Sequence, residues 1–123
     1  MSLFNFSTSP IILHSGGRTN FLIDCQALTD EDLYALAWQF SRLYTWQSVW
    51  GIPRGGKRFA EALLQFNHPL GKWKELLVDD VCTTGASFIE HQFDDPNDRH
   101  GVCIFDRSKG HRPFWVVPIF VML

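Results

Sequence analysis

Leu76-Leu77-Val78-Asp79-Asp80-Val81-Cys82-Thr83-Thr84-Gly85-Ala86-Ser87 is the stretch that decides the fold of this chain. Three apolar residues run into two carboxylates, as in a strand covered on both faces. The small, hydroxyl-rich turn that follows opens a helix. A helix start presents unpaired N–H groups and the positive end of the helix dipole, so a phosphate placed there is held by backbone, with Thr83, Thr84 and Ser87 adding hydroxyl donors. Gly85 and Ala86 let such a ligand come close. Asp79 and Asp80 would repel a bare phosphate, but they suit the hydroxyls of a ribose and a divalent cation held beside it. The ligand so described is a phosphorylated sugar. The same residues could equally end a buried strand and cap a helix in a protein that binds nothing.

Working outward, Thr29 followed by Asp30, Glu31 and Asp32 is a helix cap with acids in the first turn. Leu33, Leu36, Ala37, Phe40, Leu43 and Tyr44 then recur at helical spacing, which predicts a helix over 30–44. Gln47 to Ile52 reads as a strand that breaks at Pro53-Arg54-Gly55-Gly56. A second helix follows with Phe59, Ala60, Leu63 and Leu64 as its apolar stripe, and Asn67-His68-Pro69-Leu70-Gly71 stops it. The third helix, opened by Thr83 to Ser87, ends near Asp94-Asp95-Pro96. Val102 to Asp106 and Phe114 to Val121 are two more strands, the second read as a buried strand whose end at Leu123 is packed. Between them runs the polar loop Arg107 to Pro113.

Strands alternating with helices in this order predict an α/β fold, a small parallel sheet with helices on both faces, although the last connection is too short for a crossover helix. Ligands of such sheets sit beyond the carboxyl ends of the strands, here the Pro53–Gly56 loop together with the Asp79–Ser87 segment. Residues 1–28 contain a turn, Ser15 to Asn20, between two short extended pieces, 11–14 and 21–25. They form a small flap on a core of 29–123, the whole making one domain.

With 123 residues, 46% of them apolar, the chain has material for one core and not for two. A net charge of -2 without a basic stripe argues against nucleic-acid or membrane-surface binding, while leaving room for a small anion held locally. No run approaches the roughly twenty apolar residues of a membrane helix. Cys25, Cys82 and Cys103 are odd in number, widely spaced and without a leader sequence ahead of them, which suits a reducing cytoplasm. Neither cysteines nor histidines cluster at zinc spacing.

The segment from Leu76 to Ser87 resembles, in nearly every position, the phosphoribosyl-pyrophosphate motif of type I phosphoribosyltransferases. The resemblance implies a compact, Rossmann-like phosphoribosyltransferase core and a phosphoribosyl transfer for which magnesium is the cofactor. It implies that Asp79 and Asp80, the catalytic pair, hold the ribose 2- and 3-hydroxyls and meet the metal only indirectly, through the ribose. Thr83, Thr84, Gly85, Ala86 and Ser87 would bind the 5-phosphate. Gly51-Ile52-Pro53-Arg54-Gly55-Gly56 is similar to the family's pyrophosphate loop, with Pro53, Arg54 and Gly55 receiving the leaving group. The run from Ile12 to Cys25 resembles, more loosely, the hood of orotate phosphoribosyltransferases, which gives His14, Ser15, Arg18 and Phe21 to the base side. A lysine usually precedes that Ser-Gly turn, whereas this chain has His14.

One departure matters more than the matches. Family enzymes carry, between the pyrophosphate loop and the acidic pair, a further strand and a long basic loop that closes over the substrate. Here Asn67 to Glu75 is all that is left for it, with Lys72 and Lys74 its only cations. The expected partners are phosphoribosyl pyrophosphate or a nucleotide monophosphate and a nitrogenous base, of pyrimidine type by the hood, in a homodimer to which Trp38, Trp46, Trp50, Trp73 or Trp115 could lend a face. A module that binds the same ligand without turning it over is the alternative, and a scaffold that has lost the ligand is a third. Asp106-Arg107 could line the base side or be a surface ion pair, and Cys82 is not expected to act as a nucleophile.

Overall fold

A computed structural model describes residues 27–121. The flap, with His14, Ser15, Arg18 and Phe21, and the expected packed end at 122–123 lie outside the described residues.

Helix α1 spans Asp30–Ser41. Thr29 caps it reciprocally: its hydroxyl accepts from the Asp32 N–H at 3.0 Å, and the Asp32 carboxylate accepts from the Thr29 N–H at 3.0 Å. Leu33, Leu36, Ala37 and Phe40 are buried as their spacing predicts. The helix stops three residues short of the expected end, because the N–H groups of Leu43 and Tyr44 both turn back onto the Phe40 carbonyl. Leu43 is left 77% exposed.

Strand β1 is Trp46–Gly51, helix α2 Gly56–Leu64 and strand β2 Trp73–Cys82. Leu64 is exposed, and Ala62 takes its expected place among the buried residues of α2. Helix α3 is Ala86–His91, three residues shorter than its expected end, and a 3-10 turn at Pro96–Asp98 leads into β3, Gly101–Asp106, and β4, Val116–Val121. The four strands lie in the order β1-β2-β3-β4, every neighbour parallel.

The pleat of the sheet sorts its side chains onto two cores. Leu76, Val78, Val102 and Ile104 pack with Leu36, Phe40, Phe59 and Leu63 of α1 and α2. Leu77, Cys103 and Val116 pack with Phe88 of α3. Helices therefore cover both faces, which is why Leu76-Leu77-Val78 is apolar without a break. Burying side chains such as Phe59 or Leu63 contributes about 1.5–3 kcal/mol each. In β4 only Val116 is fully buried; the rest is half-buried or exposed at the sheet edge, so the expectation of a buried strand fails there. Pro118 is tolerated because an edge strand has one side free of ladder bonds. Among the described residues, no helix is long and apolar enough to cross a membrane.

Candidate functional site

The acidic pair lies inside β2, since Val81 and Cys82 continue pairing with β3 opposite Phe105 and Asp106. Consecutive strand residues point to opposite faces, so the two carboxylates serve different neighbourhoods. Asp80 faces α1 and α2 and lines a groove of about 300 Å³ with Arg54, Gly55, Arg58, Phe59, Leu33 and Ile104. Asp79 faces the turn before α3 and lines a recess with Val81, Thr83, Gly85, Ala86 and Ser87. Each carboxylate accepts a 2.8 Å bond from the next residue's N–H, Asp79 from Asp80 and Asp80 from Val81.

Burial raises the pKa of Asp79 to about 7, helped by the hydrogen-bonding side chain and charge of Asp80 and opposed by the Asp80 N–H. Near neutral pH its proton is therefore easily gained or lost.

The Pro53–Gly56 loop is held against this pair by backbone. The Ile52 N–H donates to the Val78 carbonyl at 2.8 Å, and the Gly56 N–H donates to Ile52 at 2.9 Å. The Pro53–Arg54 peptide is cis. A Cβ on Gly55 would lie 2.5 Å from the Asp80 carboxylate, and one on Gly56 would lie 2.2 Å from the Val78 carbonyl oxygen, so both glycines are set by close approach. The structure thus brings Arg54, Gly55 and Asp80 together at the carboxyl ends of β1 and β2, as the strand order requires.

The Thr83–Ser87 turn differs from its expected form. Gly85 is the N-cap of α3 at φ +84, no side chain caps the helix, and the Thr84 hydroxyl instead accepts from the Ala86 N–H at 3.3 Å. A Cβ on Gly85 would meet the His111 carbonyl oxygen and Pro113, each at 2.9 Å. Its missing side chain makes room for the 107–113 loop and for a left-handed backbone, where ligand access was expected to be the reason. The recess beneath the turn measures about 10 Å³, the room of one water, so an anion would sit on the turn's outer rim.

That 107–113 loop sets the His111 carbonyl and Pro113 against the turn at Gly85. Asp106 pairs with Arg112 at 2.6 Å, so Arg107 is not its partner, and Asp106 also accepts from the Ser108 N–H at 2.8 Å. Burial alone would raise the Asp106 carboxyl, but Ser108 and Arg112 outweigh it and hold the group below the ordinary carboxylate range. Burial and the Asp106 carboxylate push the Cys82 thiol up, against any nucleophilic role.

The short segment after α2 lies at the other end of the sheet. The His68 N–H donates to the Trp46 carbonyl at 2.9 Å, the Lys72 N–H to the Thr45 hydroxyl at 2.9 Å, and Gln47 to the Gly71 carbonyl at 3.0 Å. Lys72 and Lys74 thus stand at the amino ends of the strands, away from the acids. Of the tryptophans, Trp46 is buried, Trp73 and Trp115 half-buried, and Trp38 and Trp50 exposed.

Arg58 and Arg112 are the residues that sequence reasoning missed. A usable signal existed for the first: Arg58 stands in the first turn of the helix that the Arg54 loop opens, and both line the same groove. Among the described residues, no group of three or more His, Cys, Asp or Glu is arranged to hold a metal ion. No family model matches the chain, and neither a curated protein nor a solved structure matches it.

Proposed function

We propose that the chain binds a ribose 5-phosphate ligand, phosphoribosyl pyrophosphate or a nucleotide monophosphate, across the carboxyl ends of β1 and β2, and transfers the phosphoribosyl group to a nitrogenous base of orotate-like pyrimidine type. The observation that carries this reading is the packing of the Arg54–Gly55 loop against Asp80 while the neighbouring Asp79 faces the Thr83–Ser87 turn. A type I phosphoribosyltransferase core, a cytoplasmic location and a homodimer belong to the same proposal, the exposed Trp38 and Trp50 supplying candidate dimer surface.

In this arrangement Asp79 and Asp80 orient the ribose from the two sides of β2, the turn anchors the 5-phosphate, and Arg54 with the backbone around Gly55 receives the leaving pyrophosphate. Catalysis would come from positioning and from charge stabilisation of an oxocarbenium-like state. Asp80, beside the Arg54–Gly55 loop, would meet an ion carried in by the diphosphate through ligand oxygens, and Asp79 would reach it only through the ribose. Magnesium, when bound, supplies neutralisation of the leaving charge.

One observation favours a second reading, a module that binds this ligand without turning it over. The segment where family enzymes place a closing loop is pinned beside Trp46, at the end of the sheet away from the site, and a site left open to water stabilises the leaving charge poorly. Pyrophosphate release, measured with phosphoribosyl pyrophosphate, magnesium and candidate bases, separates the two. Turnover abolished by Asp79→Asn with Asp80→Asn supports the enzyme; saturable calorimetric binding without turnover supports the module; no binding at all removes both.

A further inference from the structure

Two depressions meet at Arg58. The first is the groove of about 300 Å³ over Asp80, which holds Arg54 and Arg58 against a single carboxylate. The second, about 340 Å³, lies between α1 and α2 and places Asp30 and Glu61 around the same arginine. The first carries an excess of positive charge and the second an excess of negative charge, so an anion entering between the helices is confined to the first.

Arg58 is already oriented for that task. One terminal guanidinium nitrogen, Nη2, donates to the Leu28 carbonyl at 2.9 Å and to Asp30 at 3.0 Å. No other nitrogen of the side chain is hydrogen-bonded among the described residues, and the side chain is 45% exposed. A guanidinium tethered by one corner keeps its remaining donors in a fixed plane, the geometry that matches two oxygens of a phosphate group. Arg54 stands four residues earlier at the mouth of α2, so the pair can clasp two linked phosphates where one arginine could clasp one.

We propose, resting on the reading given above, that Arg58 is a specificity-determining residue of the site: it selects ligands that carry a diphosphate at the end of the sugar remote from the 5-phosphate. The Thr83–Ser87 turn on the opposite face of β2 takes the single phosphate and is indifferent to Arg58. The Leu28 carbonyl, which accepts from Nη2, holds the guanidinium in place, and the Asp30 carboxylate, 96% exposed, contributes little to that.

The test is calorimetric titration of the full chain with two probes, inorganic pyrophosphate with magnesium and ribose 5-phosphate. Arg58→Gln should weaken pyrophosphate about tenfold or more, the loss of a charge-assisted hydrogen bond, and leave ribose 5-phosphate within about twofold. Arg58→Lys, which keeps the charge and loses the fork, should fall between. Asp30→Asn leaves the Leu28 tie in place and should hold pyrophosphate affinity within about twofold. Unchanged pyrophosphate affinity in Arg58→Gln overturns the proposal and leaves the functional reading standing. Equal loss of both probes, in step with melting temperature and reproduced by Asp30→Asn, assigns Arg58 a structural role and also overturns it. A wild-type chain that binds neither probe sinks the functional reading, and this proposal with it.

Discussion

Gly55 lies flat against the carboxylate of Asp80: a Cβ at residue 55 would stand 2.5 Å from Oδ2 and 2.6 Å from Oδ1. The neighbouring Gly56 is equally tight, but against backbone, the Val78 carbonyl oxygen at 2.2 Å. Alanine at the two positions should therefore act differently. Gly55→Ala pushes a half-buried side chain that can swing away, so stability falls by under about 1 kcal/mol while ligand affinity drops. Gly56→Ala must move β2 itself and should cost about 2–3 kcal/mol. Urea unfolding alongside ligand titration separates them, and equal stability losses would refute the distinction.

The raised pKa of Asp79 has a sign that can be checked. Folding favours its protonated form, so the group's contribution is fully present below 3.8 and is lost as pH rises through about 7. Asp79→Asn, which cannot ionise, should match wild type near pH 4 and be the more stable protein at pH 8. Unfolding free energies across that range give the answer, and a variant that is destabilised most at pH 8 would contradict the assignment.

Asp106 runs the other way. Its carboxyl is held below the ordinary range by Ser108 and Arg112 against the pull of burial, so its contribution is present above 3.8 and is lost as pH falls below that value. Arg112→Met leaves the Asp106 carboxylate, only 4% exposed, without its ion-pair partner and should cost about 3 kcal/mol at pH 7. The loss should shrink toward pH 3, as the stranded carboxyl takes up a proton. Equal losses at both pH values would show that the pair contributes through packing alone.

Thr29→Ala removes one half of the reciprocal cap on α1 and should destabilise the protein by about 1 kcal/mol. Thr29→Ser keeps the acceptor and should restore nearly all of it. Thermal melts of the three proteins decide the matter.

Much of the fold was legible because burial writes itself into spacing. Leu33, Leu36, Ala37 and Phe40 face the core as their period demands, and the unbroken Leu76-Leu77-Val78 marked a strand covered on two sides. Leu43 misled because an apolar side chain past a helix end continues the period without being buried. Asp79 and Asp80 were legible as a pair, but their division between opposite faces follows from Val81 and Cys82 prolonging the strand, and acids look like a terminus when read alone. Arg58 and Arg112 were silent in the chain because an arginine takes its meaning from a partner: Asp30 lies twenty-eight residues away and Asp106 six, the second across a loop with no period at all.

The link from β3 to β4 is a strap of residues 107–115, and it must carry the chain back to Val116, which pairs with Gly101 at the start of β3. That return is roughly 17 Å at about 3.3 Å per residue. The strap folds its surplus length into two bends, one closed by the His111 N–H on the Ser108 carbonyl and one by the Val116 N–H on the Pro113 carbonyl. A tether that stores its slack in turns tolerates a change of length. Lengthening it near Gly110 would cost only the small entropy of a wider loop.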